Sequence, residues 1–449
     1  MEHQEGRPSG VNDNQSTSNI QRQDNARDWW KSINEGWRKA LKNSITIEHD
    51  PSDEELEDII KAETLYLYVD SDQVRDITDL KPLLMLRGLK SLDVSSIRID
   101  RLDYISHLTE LQSLYLSSTN INSLEPLRNL RNLEYLNISN TTISSLEPLR
   151  NLVGMKSLYI SQTRIKDLSP LSGMILLENL DVSYLKIKSL DALKGLTSLV
   201  YLSCASTRIN SIEPLRNMTS MQTLYIMNTK ITDLSPIANM SALLTLDSGE
   251  TRIEGLKDLG QMTSLEYLYL ARTDLKTLNG IENLISLKSL YICDTEIEDI
   301  TPLGALTMLE ILDVSRSDVK DISPLKNCTG LKSLYLNTTE VNSLKGLEAM
   351  PLLDSLSCGY TDVQDLAPIK NMEALRTLDI SGTPVKSVEA LKDLPELEYV
   401  NMGSSMVRSI APLSGKSKLT SVYCYNTQVR KEEVDAFVSE NTNCHVDFY

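Results

Sequence analysis

Apolar residues return along this chain at fixed intervals. From Leu86 to Lys416 a 22-residue pattern recurs without insertion or deletion, fifteen times over 330 residues, and a sixteenth turn begins at Lys416. Slots are counted from Leu108, where the pattern reads L-T-E-L-Q-S-L-Y-L-S-S-T-N-I-N-S-L-E-P-L-R-N; slots 1, 4, 7, 9, 14, 17 and 20 are aliphatic almost throughout. Slots 6 to 10 alternate polar and apolar. This predicts a short strand with slots 7 and 9 pointing inward and slots 6, 8 and 10 on the opposite, open face. Slot 14 returns to the core, and slots 17 and 20 line its far side. Many turns carry proline at slot 19 after Ser or Glu, as in Ser169-Pro170 and Glu213-Pro214. Ser-Pro reads as N-cap and N1 of a short helical turn. Threonine holds slot 12 in most turns, from Thr119 to Thr427. Its hydroxyl is expected to satisfy backbone groups left open where the chain turns. Because each threonine precedes a core aliphatic, an exposed ice-binding threonine face is not expected.

The ends differ from the array. Residues 1–25 are rich in Gln, Asn, Ser and Asp and read as a disordered polar tail. Residues 26–64 read as a helical N-terminal cap. Trp30, Ile33, Trp37 and Leu41 fall at helical spacing, and all three tryptophans lie here. They could anchor a partner, but a solenoid end exposes raw core and needs covering, so capping is the preferred reading. A second helix is predicted after Ser52, an N-cap followed by Asp53, Glu54 and Glu55, with Leu56, Ile59 and Ile60 on one face. The repeat array spans 65–430, with one irregularity in length around Asp70 to Gln73. Residues 431–449 read as a C-terminal cap, with Val434, Phe437 and Val438 at helical spacing and a last strand at His445–Phe448.

The period, and the T-x-I-x-D-L-S-P-L/I runs within Leu152–Ser172 and Met218–Ala238, resemble the bacterial leucine-rich-repeat proteins of the internalin-like, 22-residue class. The stretch K-E-E-V-D-A-F-V-S-E-N-T-N-C-H-V resembles the C-terminal caps of cytoplasmic-type bacterial members. The resemblance implies an α/β solenoid. It would be a leucine-rich-repeat arc with one parallel strand per repeat, short turns or 3-10 segments on the convex side, a helical N-terminal cap and a helix-strand C-terminal cap. Two features depart from the class. Slot 12 holds Thr where Asn is common, and the signal peptide and anchoring tail of surface-bound internalins are not seen. The 22-residue regulatory subunits of eukaryotic protein phosphatases share the architecture, but the threonine ladder and Ser-Pro turns point to the bacterial class.

Charge narrows the partners. The chain carries 45 basic and 62 acidic residues, net −17, which disfavours nucleic acid and anionic membrane and suits a protein partner. No run of 18 apolar residues would insert in a membrane. Cys204, Cys358 and Cys424 fill slot 9 and Cys328 fills slot 1, all core positions, and no C-x-x-C pair occurs. A reducing, cytoplasmic location is expected. The alternative is a secreted effector or adhesin that uses a non-Sec route, with residues 1–25 as the export signal, and binds a host or cell-surface protein. No enzyme motif is found. The four histidines are scattered, and Cys293 has no histidine in a neighbouring repeat to activate it. Neither catalysis, metal nor cofactor is expected.

Slots 6 and 8 gather 11 of the 18 tyrosines on the open strand face. Tyr with Ser, Asn and Asp is the composition of a binding surface, although rings could also merely shield the strands. The candidate partner-binding residues are Tyr135, Tyr159, Tyr201, Tyr225, Asp247, Tyr267, Tyr269, Tyr291, Asp313 and Tyr335. Asp181, Asp247, Asp313 and Asp379 recur every 66 residues, the trace of a duplicated three-repeat block. Three strands set them about 14 Å apart, too far for a catalytic carboxylate pair. Slot 13 forms a candidate charged edge. Arg164, Lys186, Arg208, Lys230 and Arg252 fill it in five consecutive repeats, then Asp274, Glu296, Asp318, Glu340 and Asp362 in the next five. The expected function is a protein–protein interaction module, monomeric apart from a partner that sits on the concave strand face.

Overall fold

The structure, a computed structural model, describes residues 25–67 and 77–449. Nearly all of the polar tail and the irregularity at Asp70 to Gln73 lie outside the described residues. The chain forms two compact units, residues 1–185 and 186–449.

In the first unit the apolar spacing from Trp30 to Leu41 is divided between two helices. Helix α1 covers residues 25–32 and α2 covers Glu35–Ser44. Asn34 separates them because its side-chain oxygen caps α2, accepting the Trp37 N–H at 3.0 Å. Helix α3, Asp53–Ile60, begins with a capping box. The Ser52 hydroxyl accepts the Glu55 N–H at 3.2 Å and Glu55 accepts the Ser52 N–H at 2.7 Å. Two indoles fasten this cap to the first repeat. Trp37, 2% exposed, donates to the Asp79 carbonyl at 3.1 Å, and Trp29 donates to the Pro82 carbonyl at 3.2 Å. Among the described residues six parallel strands follow, from Thr64–Tyr66 to Asn179–Asp181.

The second unit carries twelve strands among the described residues, from Tyr201–Ser203 to His445–Asp447. Helix α4, Lys431–Glu440, closes its end. The Glu433 carboxylate accepts the Ser409 hydroxyl at 2.6 Å and the backbone N–H groups of Ile410 and Ala411 at 2.8 and 3.1 Å. The last strand pairs in parallel with Ser421–Tyr423.

Every repeat is built alike. The strand occupies slots 6 to 8, shorter than the alternation suggests, and is followed by a left-handed residue at slot 11. The φ angle there lies between 52° and 66° in all sixteen repeats, and only Gly382 is a glycine. In most repeats its N–H bonds the slot-10 carbonyl of the next repeat, as Asn228 does to Gly249 at 2.9 Å and Arg316 to Asn337 at 2.8 Å. Where slot 12 holds threonine, its hydroxyl donates to the slot-9 carbonyl three residues back, from 2.9 Å at Thr163–Ile160 to 2.6 Å at Thr361–Cys358. Most of these threonines are buried, Thr273 to 6% exposure, so they form no exposed threonine face. Thr273→Val keeps the shape but leaves the Leu270 carbonyl without its 2.8 Å donor. It is expected to cost about 1–2 kcal/mol, measurable by urea unfolding.

The cap of the 3-10 segments differs from expectation. Ser169 is the first residue of its segment, and core-directed Leu168 occupies the N-cap without a side-chain bond. The capping oxygen comes from slot 16 instead. Asp167 accepts the Ser169 N–H at 2.8 Å, and Ser211 accepts that of Glu213 at 3.1 Å. The hydrophobic demand at slot 17 displaces the cap by one residue.

Candidate functional site

The strand register sets the open face. Parallel pairing aligns Tyr225 with Asp247, Asp247 with Tyr269, Tyr269 with Tyr291, Tyr291 with Asp313 and Asp313 with Tyr335. All of them therefore project from neighbouring strands on one side. Tyr269 and Tyr291 stack with ring centroids 4.9 Å apart and planes 10° from parallel. Tyr201 meets Tyr225 edge to face at 5.8 Å, and Tyr267, on the strand of Tyr269, stands 36% exposed. In the first unit Tyr135 bridges Tyr115 at 4.5 Å and Tyr159 at 5.4 Å. The tyrosines thus support one another as well as facing outward. Burial raises the phenol pKa of Tyr159, Tyr269 and Tyr291, and pushes that of Tyr135 up to about 12, with neighbouring tyrosines adding to it.

The aspartates have a role that composition did not reveal. Each accepts the backbone N–H two residues on: Asp247 from Gly249 at 3.0 Å, Asp313 from Ser315 at 2.9 Å and Asp379 from Ser381 at 2.8 Å. These bonds close the strand ends, and Asn137 and Asn401 do the same at 3.0 and 3.1 Å. Burial raises the pKa of Asp247, partly offset by the Gly249 N–H. Cys293 is half-buried, and desolvation, with the Asp313 and Asp294 charges, pushes its thiol up to about 11, so it is held protonated. Among the described residues no group of three or more His, Cys, Asp or Glu side chains could hold a metal, and no helix is long and apolar enough to cross a membrane.

The charged edge can be compared with its neighbours. At slot 5 the signs alternate along the second unit, Glu266, Lys288, Glu310, Lys332, Asp354, Arg376 and Glu398. Adjacent members pair, with Lys288–Glu266 and Lys332–Glu310 both at 2.7 Å. Slot 11 also compensates itself, with Arg272–Glu250 at 3.0 Å and Arg316–Asp294 at 2.6 Å. Slot 13 does not. Lys186, Arg208, Lys230 and Arg252 are exposed and form no ion pair among the described residues. Of the acidic run, Glu296 and Glu340 pair with Lys276 at 3.2 Å and Lys320 at 2.9 Å. Arg164 belongs to the first unit, where it is likewise exposed. Repetition of blocks therefore does not by itself impose like-sign columns.

The three-residue strands, 3-10 segments and 22-residue period define a leucine-rich-repeat protein, a fold that serves as a scaffold for protein interactions. The family described as Leucine Rich repeats (2 copies) matches residues 109–151 and 197–239. Its internalin-like, bacterial type is seen in an internalin of Listeria monocytogenes (inlF), 27% identical over 77% of this chain and 95% of that one, with a TM-score of 0.62. A leucine-rich-repeat protein of Leptospira interrogans shares the fold at 16% identity, covering 91% of this chain and 98% of its own, with a TM-score of 0.75. The functional domain of InlJ from Listeria monocytogenes, which includes a cysteine ladder, does so at 19% identity, covering 89% and 81%, with a TM-score of 0.64. A search of curated protein sequences finds no match.

Proposed function

We propose that this protein is an interaction module that seats a protein partner on its tyrosine-bearing strand face. The observation that carries the reading is the row Tyr225, Asp247, Tyr269, Tyr291, Asp313, Tyr335, aligned on neighbouring strands by the register. Its rings are held in place by each other and by the strands, so ordering them on binding costs little entropy. The test is affinity capture with the full chain and with Tyr225→Ala, Tyr269→Ala and Tyr291→Ala combined. These side chains are half-buried and lie outside the repeat core, so the variant is expected to fold, with unchanged circular dichroism, and to lose its partner. Retention of every captured protein by the folded variant excludes this face.

The slot-13 edge supplies orientation in this reading. Its basic and then acidic runs give the second unit a lateral dipole that steers a partner of opposite polarity, an effect on association rate more than on affinity. Reversing charge at Arg208, Lys230 and Arg252 is expected to slow association and flatten its dependence on salt. An unchanged salt dependence rules the edge out of the encounter.

A further inference from the structure

The row at slot 8 has an internal order. Asp247 lies between Tyr225 and Tyr269, and Asp313 between Tyr291 and Tyr335. Each carboxylate therefore lies between two aromatic side chains. Because Tyr269 and Tyr291 stack on each other, their outer ring faces turn toward the strands of Asp247 and Asp313. From Tyr201 to Asp379, slots 6, 8 and 10 contain no Lys or Arg at all, although both are common at slots 5, 11 and 13. Space above the first carboxylate is kept open by glycine. A Cβ on Gly249 would lie 3.4 Å from Asp247 Oδ1 and 3.1 Å from the Ala271 carbonyl. The face thus offers carboxylates and ring π-faces, with no cation at slots 6, 8 or 10; the Arg316 guanidinium at slot 11, near enough to act on Asp313, is paired with Asp294.

We propose that this face binds an extended basic segment of the partner protein, with one Arg or Lys side chain entering each Tyr–Asp–Tyr recess. The proposal rests on the reading that the partner sits here, and adds its chemistry. A guanidinium can stack on a tyrosine ring and donate hydrogen bonds to a carboxylate at once, so arginine is the better fit. Spacing follows from the strands. Three strand intervals of about 4.8 Å separate the recesses by roughly 14 Å, the span of four residues of extended chain. The segment therefore crosses the strands with its two cationic residues at positions i and i+4. Burial already disfavours the charged form of Asp247, so an incoming cation also relieves a charge that lacks a basic neighbour on the face.

The test uses the full chain and fluorescein-labelled peptides of Ser and Gly, followed by anisotropy. One peptide carries Arg at i and i+4, a second at i and i+2, and a third carries Glu at i and i+4. Asp247→Asn and Asp313→Asn remove the charge but keep the turn bond, since Asn137 and Asn401 make it natively. Asp379→Asn is the control, because at slot 8 Asp379 lies between Ser357 and Asn401 rather than between two tyrosines. The expected result is saturable binding of the i,i+4 arginine peptide, about tenfold or more tighter than that of the i,i+2 peptide. Either recess variant is expected to weaken it by about tenfold or more, with Asp379→Asn near neutral. Equal loss in all three variants would mean that net charge alone attracts the peptide, and overturns the proposal. So does equal binding of both arginine spacings, or preference for the glutamate peptide. A partner lost by the triple tyrosine variant yet retained by both recess variants sinks this inference while leaving the interaction face standing.

Discussion

Trp37→Ala is expected to cost about 3–5 kcal/mol, and the damage should stay at one end of the chain. The indole is 2% exposed and its N–H reaches the Asp79 carbonyl at 3.1 Å, so truncation opens a cavity and strips a backbone acceptor of its donor. In a repeat array each unit leans only on its neighbours, so loss of a cap frays the adjacent repeats before it reaches distant ones. Hydrogen exchange reads this directly. Amides of Thr64–Tyr66 and Ser91–Asp93 should lose protection while those of Tyr267–Tyr269 keep theirs. A uniform loss along the chain would show a single cooperative unit. No loss would show that the tryptophans serve a partner instead.

Ser248→Val should raise stability by about 1–2 kcal/mol. Slot 9 is a core position, filled by Ile226 and Leu270 in the adjacent repeats, yet here it holds serine at 0% exposure. The hydroxyl finds no hydrogen-bond partner among the described residues. Valine removes that unpaired group and adds buried methyls, and the same slot already accommodates valine at Val182 and Val314. The check is the urea midpoint with the slope unchanged. A lower midpoint would mean that neighbouring side chains have closed around the smaller residue and that valine overpacks the site.

Core slots, strand positions, both caps and the role of the threonine hydroxyls are readable from residue type, because each depends on burial or on a donor the side chain itself supplies. The left-handed turn at slot 11 is not. Glu250, Arg272 and Tyr360 adopt it against their own preference, held by a bond from their N–H to the following repeat. Gly382 and the asparagines at 140, 228 and 426 were the available hint. Asp247 and Asp313 read as partner-seeking residues, whereas their first task is within their own turn. Only register makes that visible, since the acceptor is fixed by where the strand stops. The alternation at slot 5 is plain in the sequence but acquires meaning only when pairing places Glu266 against Lys288. Whether the tyrosines bind or shield depends on which ring faces remain free, and that required their mutual angles.

The hydrogen bonds that close the turns at Asp247, Thr273 and Asp167 begin and end inside a single repeat. The backbone ladder, the aliphatic core and side-chain pairs such as Lys288–Glu266 and Arg316–Asp294 join one repeat to the next. A segment of 22 residues can therefore be removed or added without breaking these turn bonds. The molecule behaves as a ruler with graduations of about 4.8 Å, and its 66-residue rhythm marks every third one, about 14 Å. A ligand read by such a surface is measured in whole graduations, so variants lengthened or shortened by one repeat should shift the register of recognition rather than abolish the fold.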